Sequence, residues 1–418
     1  MHDGLLIFSQ ALRGDGGVSL RETREGEDAC ATWSVASKTI IWHILTGEFP
    51  PQKGGVADYT ALIARKLADA GDEVHVWAPG ADATRAVSSE RLSVHDLPGK
   101  FGFRALRRLG CALRREKRAH RLLVQYVPQM YGMRGMNVVF ALWIKWCCPV
   151  APWVMFHEVA FPPVKRPLRH RFFAWVQRRM ARWIAKSMSR GFVSVPLWEQ
   201  WLDAIAPGHR ACEWLPVPSN VATCADPARV AALRTRIFNP AVRHIAGHFG
   251  TFGNLITDEL APNVILLLKS YPEWGVLLVG RGSQAFAEKF LHENREFKER
   301  VYAAGELDAE RVAEHLACAD VLYQPYPDGV SSRRSSAMAG LALGIPIVTN
   351  SGPSTEPIWR EKQIVRLVDF GNAAAACAAL AGCSADMEKC KALSQRARDA
   401  YEAHFSVAVA VERLREAT

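Results

Sequence analysis

The chain has 418 residues, 49% hydrophobic and 22% charged, with a formal net charge of +10. This length exceeds what one core commonly supports and predicts two domains, while the hydrophobic content excludes an intrinsically disordered chain. Ten cysteines with no Cys-x-x-Cys pair and no zinc-spaced His/Cys cluster argue against a disulfide scaffold or zinc ribbon, and read as reduced thiols of a cytoplasmic protein.

Residues 1–38 read as a polar extension whose apolar run is too short for a signal peptide. TIIWHIL, 39–45, is the first predicted strand and TGEFPPQKGG the loop after it. A helix follows from Val56, with Tyr59, Leu62, Ile63 and Leu67 on one face and Gly71 ending it. Further strands are expected at 73–77, 121–127, 152–156 and 191–195. The most apolar stretch, MNVVFALWIKWCCPVAPWVMF, is interrupted by Lys145, Pro149 and Pro152, and predicts a buried helix followed by a strand rather than a membrane span. Segments 103–121 and 166–190 interleave arginines with aromatic and apolar residues at helical spacing. That pattern suits a helix resting on an anionic membrane, or equally one packed on its sheet with a basic outer face.

A second series opens near residue 243 with RHIAGHFG and continues through GVLLVGRG, RVYAAG, DVLYQPY, IPIVTN and IVRLVD, six strands separated by helical patterns. The fold class is therefore α/β, with two doubly wound, Rossmann-like parallel-sheet domains facing across a cleft. The expected domains are 39–215 and 243–395, with a hinge at 216–242. A last helix, 396–418, with Tyr401, Phe405 and Val409 at helical spacing, crosses back to the first domain.

Such sheets bind ligands beyond the carboxyl ends of their strands, so the loops after Leu45, Gly247, Val279 and Gln324 should line one cleft. Gly54 and Gly55 open a helix where an anion can reach backbone amides, or else form a plain tight turn. Asp58, one turn on, either enters the cleft or complements the helix dipole. GHFGTFG, with Gly250, Thr251 and Phe252, repeats the glycine design without dinucleotide spacing, which disfavours a nicotinamide enzyme. Gly280, Arg281 and Gly282 form a third permissive turn. In 325–350, Asp328 and Gly329 make a turn, Ser331 and Ser332 are helix caps, and Arg333 and Arg334 fall in the first helical turn. Guanidiniums oppose the helix dipole there unless an anion is bound, and forked arginines suit a diphosphate. His157 and Glu158 end the strand 152–156 and are expected to face the cleft.

With GEFPPQKGGVADYT, the His157–Glu158 pair, GHFGTFG and DGVSSRRSS in this order, the chain from about residue 39 onward resembles the GT-B retaining glycosyltransferases of family four. The resemblance implies a second domain that binds a UDP- or GDP-sugar as co-substrate, and a first domain that binds the acceptor. It implies no permanently bound cofactor and no metal, and closure about a hinge near Pro216–Asn220. Gly55, His157, Arg333 and Arg334 become the catalytic set. Gly54, Gly250, Thr251, Phe252, Gly280, Arg281, Gly282, Glu306 and Leu307 join Asp328, Gly329, Val330, Ser331 and Ser332 around the donor. Asp58, Tyr126, Gln129 and Glu158 fall on the acceptor side. The acceptor is expected to be a sugar, a lipid-linked or a small molecule, with an anionic membrane surface as a further partner and no nucleic acid. Two family features are missing: no Arg/Lys pair follows the second-domain glycine loop, and Ser331 and Ala339 stand where two glutamates are usual. Arg333 and Arg334 are expected to compensate. A binding protein of this shape without catalysis, or a sugar-nucleotide epimerase, are the alternatives.

Overall fold

The computed structural model describes residues 39–80, 90–161 and 168–416; the extension 1–38 lies outside them, as do residues 166 and 167 of the second basic segment. Seven strands form the first sheet: Ile41–Leu45 (β1), Glu73–Ala78 (β2), Leu92–Asp96 (β3), His120–Tyr126 (β4), Trp153–Phe156 (β5), Arg190–Val193 (β6) and Cys212–Trp214 (β7). Their order is β3-β2-β1-β4-β5-β6-β7, with every pairing parallel. The second sheet comprises His244–Phe249 (β8), Trp274–Val279 (β9), Val301–Gly305 (β10), Val321–Gln324 (β11), Ile347–Asn350 (β12) and Arg366–Val368 (β13). It runs β10-β9-β8-β11-β12-β13, again all parallel. The two strands that sequence periodicity missed, β3 and β7, are the edges of the first sheet. An edge strand is less covered on its faces and so carries a weaker apolar signal.

Each sheet is covered on both faces, as an all-parallel sheet requires. Along β1, Trp42 and Ile44 enter one core with the helix Gly55–Asp69, while Leu45 enters the opposite core with the helices Phe103–Arg115 and Val138–Trp146. The last helix, Val407–Glu416, puts Ala410, Val411 and Leu414 into the Trp42 core. Arg121 donates to the Leu414 carbonyl and Arg415 pairs with the buried Asp72 at 3.3 Å, tying that helix to the first sheet. The apolar stretch after Met136 does fold as a helix and then β5. That helix is buried on one side only, through Phe140, Ala141, Trp143 and Ile144, while Val139 and Trp146 are exposed. Among the described residues no helix is long and apolar enough to cross a membrane.

On the Leu45 side, β1 to β4 carry a row of four histidines. His43 and His75 are register partners with rings 5.0 Å apart, His75 Nδ1 lies 3.0 Å from His95 Nε2, and His120 meets His43 edge-on at 5.3 Å. His43 Nδ1 accepts a hydrogen bond from Trp77 Nε1 at 3.1 Å. Burial, and then the neighbouring His75, His120 and His95, push the His43 imidazole down to about 3. The folded state thus favours neutral His43, and this contribution is complete above the unfolded value near 6.5 and is lost as pH falls towards the folded one. Between pH 7 and pH 5 the parent should lose about 2 kcal/mol more unfolding free energy than His43→Gln, as measured by urea unfolding at the two pH values.

Candidate active site

Parallel strands deliver their carboxyl ends to one side of each sheet, and here the two sides meet in a cleft of about 760 Å3. The first-domain wall is the Pro50–Gly55 loop after β1 with Asp58, Leu62 and Arg65 of the following helix. The second-domain wall contains His248–Thr251, Gly280, Arg281, Glu306, Leu307, Gln324, Tyr326 and Arg333–Ser336. Asn220, at the junction, donates to Asp58 at 3.0 Å.

The amide cluster expected to hold an external anion at Gly54 already has one. The Glu48 carboxylate accepts from Ala57 N at 3.2 Å, and a Cβ on Gly54 would sit 2.2 Å from Glu48 Oε1. Gly54 is therefore needed for the approach of a protein carboxylate. Gly55 lines the cleft, and a Cβ added there would meet nothing within 4 Å. In the second domain, Gly280 has φ +118° and its Cβ would lie 2.1 Å from the Gly250 carbonyl oxygen, so bare glycine lets these two loops touch. Thr251 and Arg281 reach the cleft. Phe252 instead packs edge-on against His248 at 5.1 Å and beside Phe286, and Gly282 forms the left-handed start of the next helix.

The 328–336 segment departs most from expectation. The helix begins at Ser335, not at the serine pair, and runs Ser335–Leu343 with Arg334 as its N-cap. The preceding backbone is committed elsewhere: Gly329 N donates to the Tyr326 carbonyl, Val330 N to that of Asn350 and Ser332 N to Glu356. Ser331, Ser332 and Val330 are wholly buried. Ser332 joins the two domains rather than facing a donor: its hydroxyl lies 2.9 Å from the Ser194 carbonyl and accepts from Trp214 Nε1 at 3.0 Å, while its own carbonyl accepts from Val217 N. Asp328 lies outside the cleft lining and pairs with both Arg333 and Arg334. Burial alone would raise the Asp328 carboxyl, yet Arg334 and Arg333 beside it hold it below the usual range. Part of the anion that the arginines called for is thus their own neighbour. Both still line the cleft, Arg333 over the Trp198 ring and Arg334 over that of Tyr326.

His157 lies behind the first-domain wall, 7% exposed, donating from Nε2 to Gln125 Oε1 at 2.7 Å and packing on Tyr59. Burial pushes its imidazole down to about 3. Glu158 comes within 3.9 Å of Arg333, a contact between domains that the acceptor-side assignment did not anticipate. Tyr126 sits in the core beside Tyr131 and Phe156 and does not line the cleft, nor does the exposed Gln129. Also lining the cleft, Lys53 of the first domain pairs with Glu306 of the second at 3.0 Å, and Arg281 approaches the same carboxylate at 3.3 Å. Lys53, with Arg281, holds the Glu306 carboxyl below its usual value.

Sequence reasoning missed Glu48, Lys53, Arg65, His248, Gln324, Tyr326 and Ser336. For His248 and Gln324 a signal existed: each is a polar residue at the carboxyl end of an otherwise apolar strand. Glu48 had none, because it reaches an amide nine residues away by loop folding alone.

Residues 54–189 match the glycosyl transferase 4-like domain. The chain superposes on a glycosyltransferase from Rickettsia africae with TM-score 0.69 at 12% identity, over 90% of this chain and 97% of that one. It superposes on sucrose-phosphate synthase from Thermosynechococcus elongatus with TM-score 0.67 at 17% identity, over 91% and 98%. The fold is GT-B. Anabaena HepE, solved in complex with UDP and glucose, shares this GT-B architecture with TM-score 0.64 at 15% identity, over 90% and 99%. No curated protein sequence matches the chain.

The two glycines of the GT-B cleft separate structural from ligand roles. Gly54→Ala should displace Glu48 from the helix start and cost about 1 kcal/mol of stability, the usual worth of a helix cap. Gly55→Ala should hold or raise the melting temperature, since alanine favours the helix, yet weaken the binding of a ligand in the cleft that it lines. Thermal unfolding and titration of both variants check this pair.

Proposed function

We propose that the protein is a glycosyltransferase that moves a sugar from a nucleotide-sugar donor to an acceptor hydroxyl with retention of configuration. The observation that carries this reading is the pair Arg333 and Arg334 on the second-domain wall of the cleft that Gly55 and Asp58 line from the first. Two forked guanidiniums beside a helix start suit a nucleoside diphosphate, and HepE of the same fold was solved with UDP. Retention is supported by the family resemblance. The sugar C1–O bond to the diphosphate breaks, the acceptor oxygen bonds C1 on the same face, and its proton passes to the departing phosphate oxygen. Arg333 and Arg334 meet the charge that grows on that leaving group, while closure of the walls excludes water.

The acceptor side carries a surface that suits anionic lipid. On the adjacent helices Val138–Trp146 and Leu168–Ser187, Trp146, Phe172 and Trp175 are exposed, Phe172 and Trp175 stack at 6.2 Å, and Lys145 lies over Trp146 and Trp183. Arg171, Arg178, Arg179 and Arg182 share the longer helix.

Arg333→Ala or Arg334→Ala should weaken nucleoside diphosphate and nucleotide sugar alike and leave nucleoside affinity unchanged. Because Asp328 already shares both arginines, the loss should lie near the lower end for a charged hydrogen bond, about 1.5 kcal/mol or tenfold. Titration with UDP, GDP and their sugars checks it; unchanged diphosphate affinity in the double variant would refute the assignment. The purified protein should sediment with anionic vesicles and be released as salt rises, whereas equal recovery on neutral vesicles rejects the lipid surface.

A further inference from the structure

Away from the cleft, two cysteines face each other across a tight helical corner of the second domain. Only Asp386 separates the helix Ala373–Ala385 from the helix Met387–Ala400, and its side chain caps the second helix by accepting from Lys389 N at 3.1 Å. Cys383 sits in the last turn of the first helix, and Cys390 closes the first turn of the second. Cys383 is 8% exposed within an apolar core of the second domain, and the half-buried Cys390 packs against the same core. The two thiols share a hydrogen bond.

The surroundings give this pair a polarity. Cys383 Sγ lies 3.4 Å from the Ala379 carbonyl oxygen, which can only accept, so the thiol hydrogen belongs on Cys383. Cys390 stands near the positive end of its helix, which favours a thiolate. The hydrogen bond from Cys383 holds the Cys390 thiol below its usual value, against burial and the nearby Asp320. The same bond, and then burial, raise the Cys383 thiol. An accessible sulfur that ionises readily beside a buried thiol suits oxidation in two steps, in which the first sulfur attacks and the second resolves.

We propose that Cys383 and Cys390 form a peroxide-sensitive dithiol, whose oxidation to a disulfide clamps the corner between the two helices. The Cys390 thiolate attacks one oxygen of hydrogen peroxide and the O–O bond breaks. The departing hydroxide takes up the proton that Cys390 has lost, leaving water and a sulfenic acid on Cys390. Cys383 then attacks the Cys390 sulfur, the S–O bond breaks, and the hydroxyl leaves as a second water with the Cys383 proton. Two thiols are oxidised by two electrons in all, and one peroxide is reduced to two waters. The clamped helix is well connected. Its Arg398 donates to the Leu343 carbonyl at the end of the helix that Arg334 caps, and it runs on to Tyr401, whose hydroxyl accepts from Ser219 N at the junction of the domains.

The test treats the full-length protein, reduced and freed of reductant, with hydrogen peroxide at pH 7, blocks the remaining thiols and maps its peptides by mass spectrometry without reduction. The expected product is a peptide pair linked through Cys383 and Cys390 and released by dithiothreitol. The oxidised protein should melt at a higher temperature than the reduced one, because a crosslink restricts the unfolded chain. In Cys383→Ala, peroxide should instead leave on Cys390 a sulfenic acid that dimedone traps. The pH midpoint for alkylation of Cys390 by iodoacetamide should lie below those of the exposed Cys147 and Cys224, and rise towards them in Cys383→Ala. Thiols lost without a Cys383–Cys390 link overturn the proposal, and the map of the parent decides this even if the variant is less stable. A Cys390 midpoint no lower than those of the exposed thiols, or an oxidised protein that melts no higher than the reduced one, also overturns it.

Discussion

The arrangement of the cleft depends on one buried carboxylate. Glu356 is 3% exposed, and burial raises its carboxyl above the ordinary range even though it accepts from Ser332 N, the Ser332 hydroxyl and Trp359 Nε1. A buried carboxylate is tolerable only where such donors surround it, so the Ser332 backbone is fixed by what Glu356 requires. Ser332 in turn meets Ser194, Trp214 and Val217 of the first domain and the junction. The two residues that follow it in sequence are Arg333 and Arg334. The contact that joins the domains and the charges that face the cleft are therefore parts of one continuous segment.

The charges of the cleft are balanced from within. Asp328 serves Arg333 and Arg334, Glu306 serves Lys53 and Arg281, and Glu48 occupies the start of the first helix. Without these partners a wall bearing so many cations would repel itself. With them, any anion entering the cleft competes with carboxylates already in place, and its binding energy comes from exchange rather than from filling an empty positive site. Two of these contacts, Lys53 to Glu306 and Arg333 to Glu158, span the domains. The charges of the cleft and the contacts between the domains thus share side chains. His248 Nε2 and the Gln324 amide differ, because no protein group meets them.

What the sequence by itself determined was the alternation of elements and the chemistry of its punctuation. All six strands of the second sheet were legible as apolar runs, the inner four because a strand buried on both faces must be apolar almost throughout. The loops after β1, β8, β9 and β11 were placed on one cleft, since parallel strands end on one side. The edge strands β3 and β7 were illegible, having less to bury. The tertiary structure alone decided which polar residues face which partner. Ser332 became an inter-domain link because Glu356, 24 residues later, lies beneath it. Asp328 became a counter-ion because the chain turns back at Gly329, where φ is +86° and a side chain would strike Gly352. Tyr126 and His157 went to the core rather than the cleft. Periodicity reports which face of an element is buried, whereas a hydrogen bond or ion pair depends on distances of a few ångströms between segments that the sequence does not bring together.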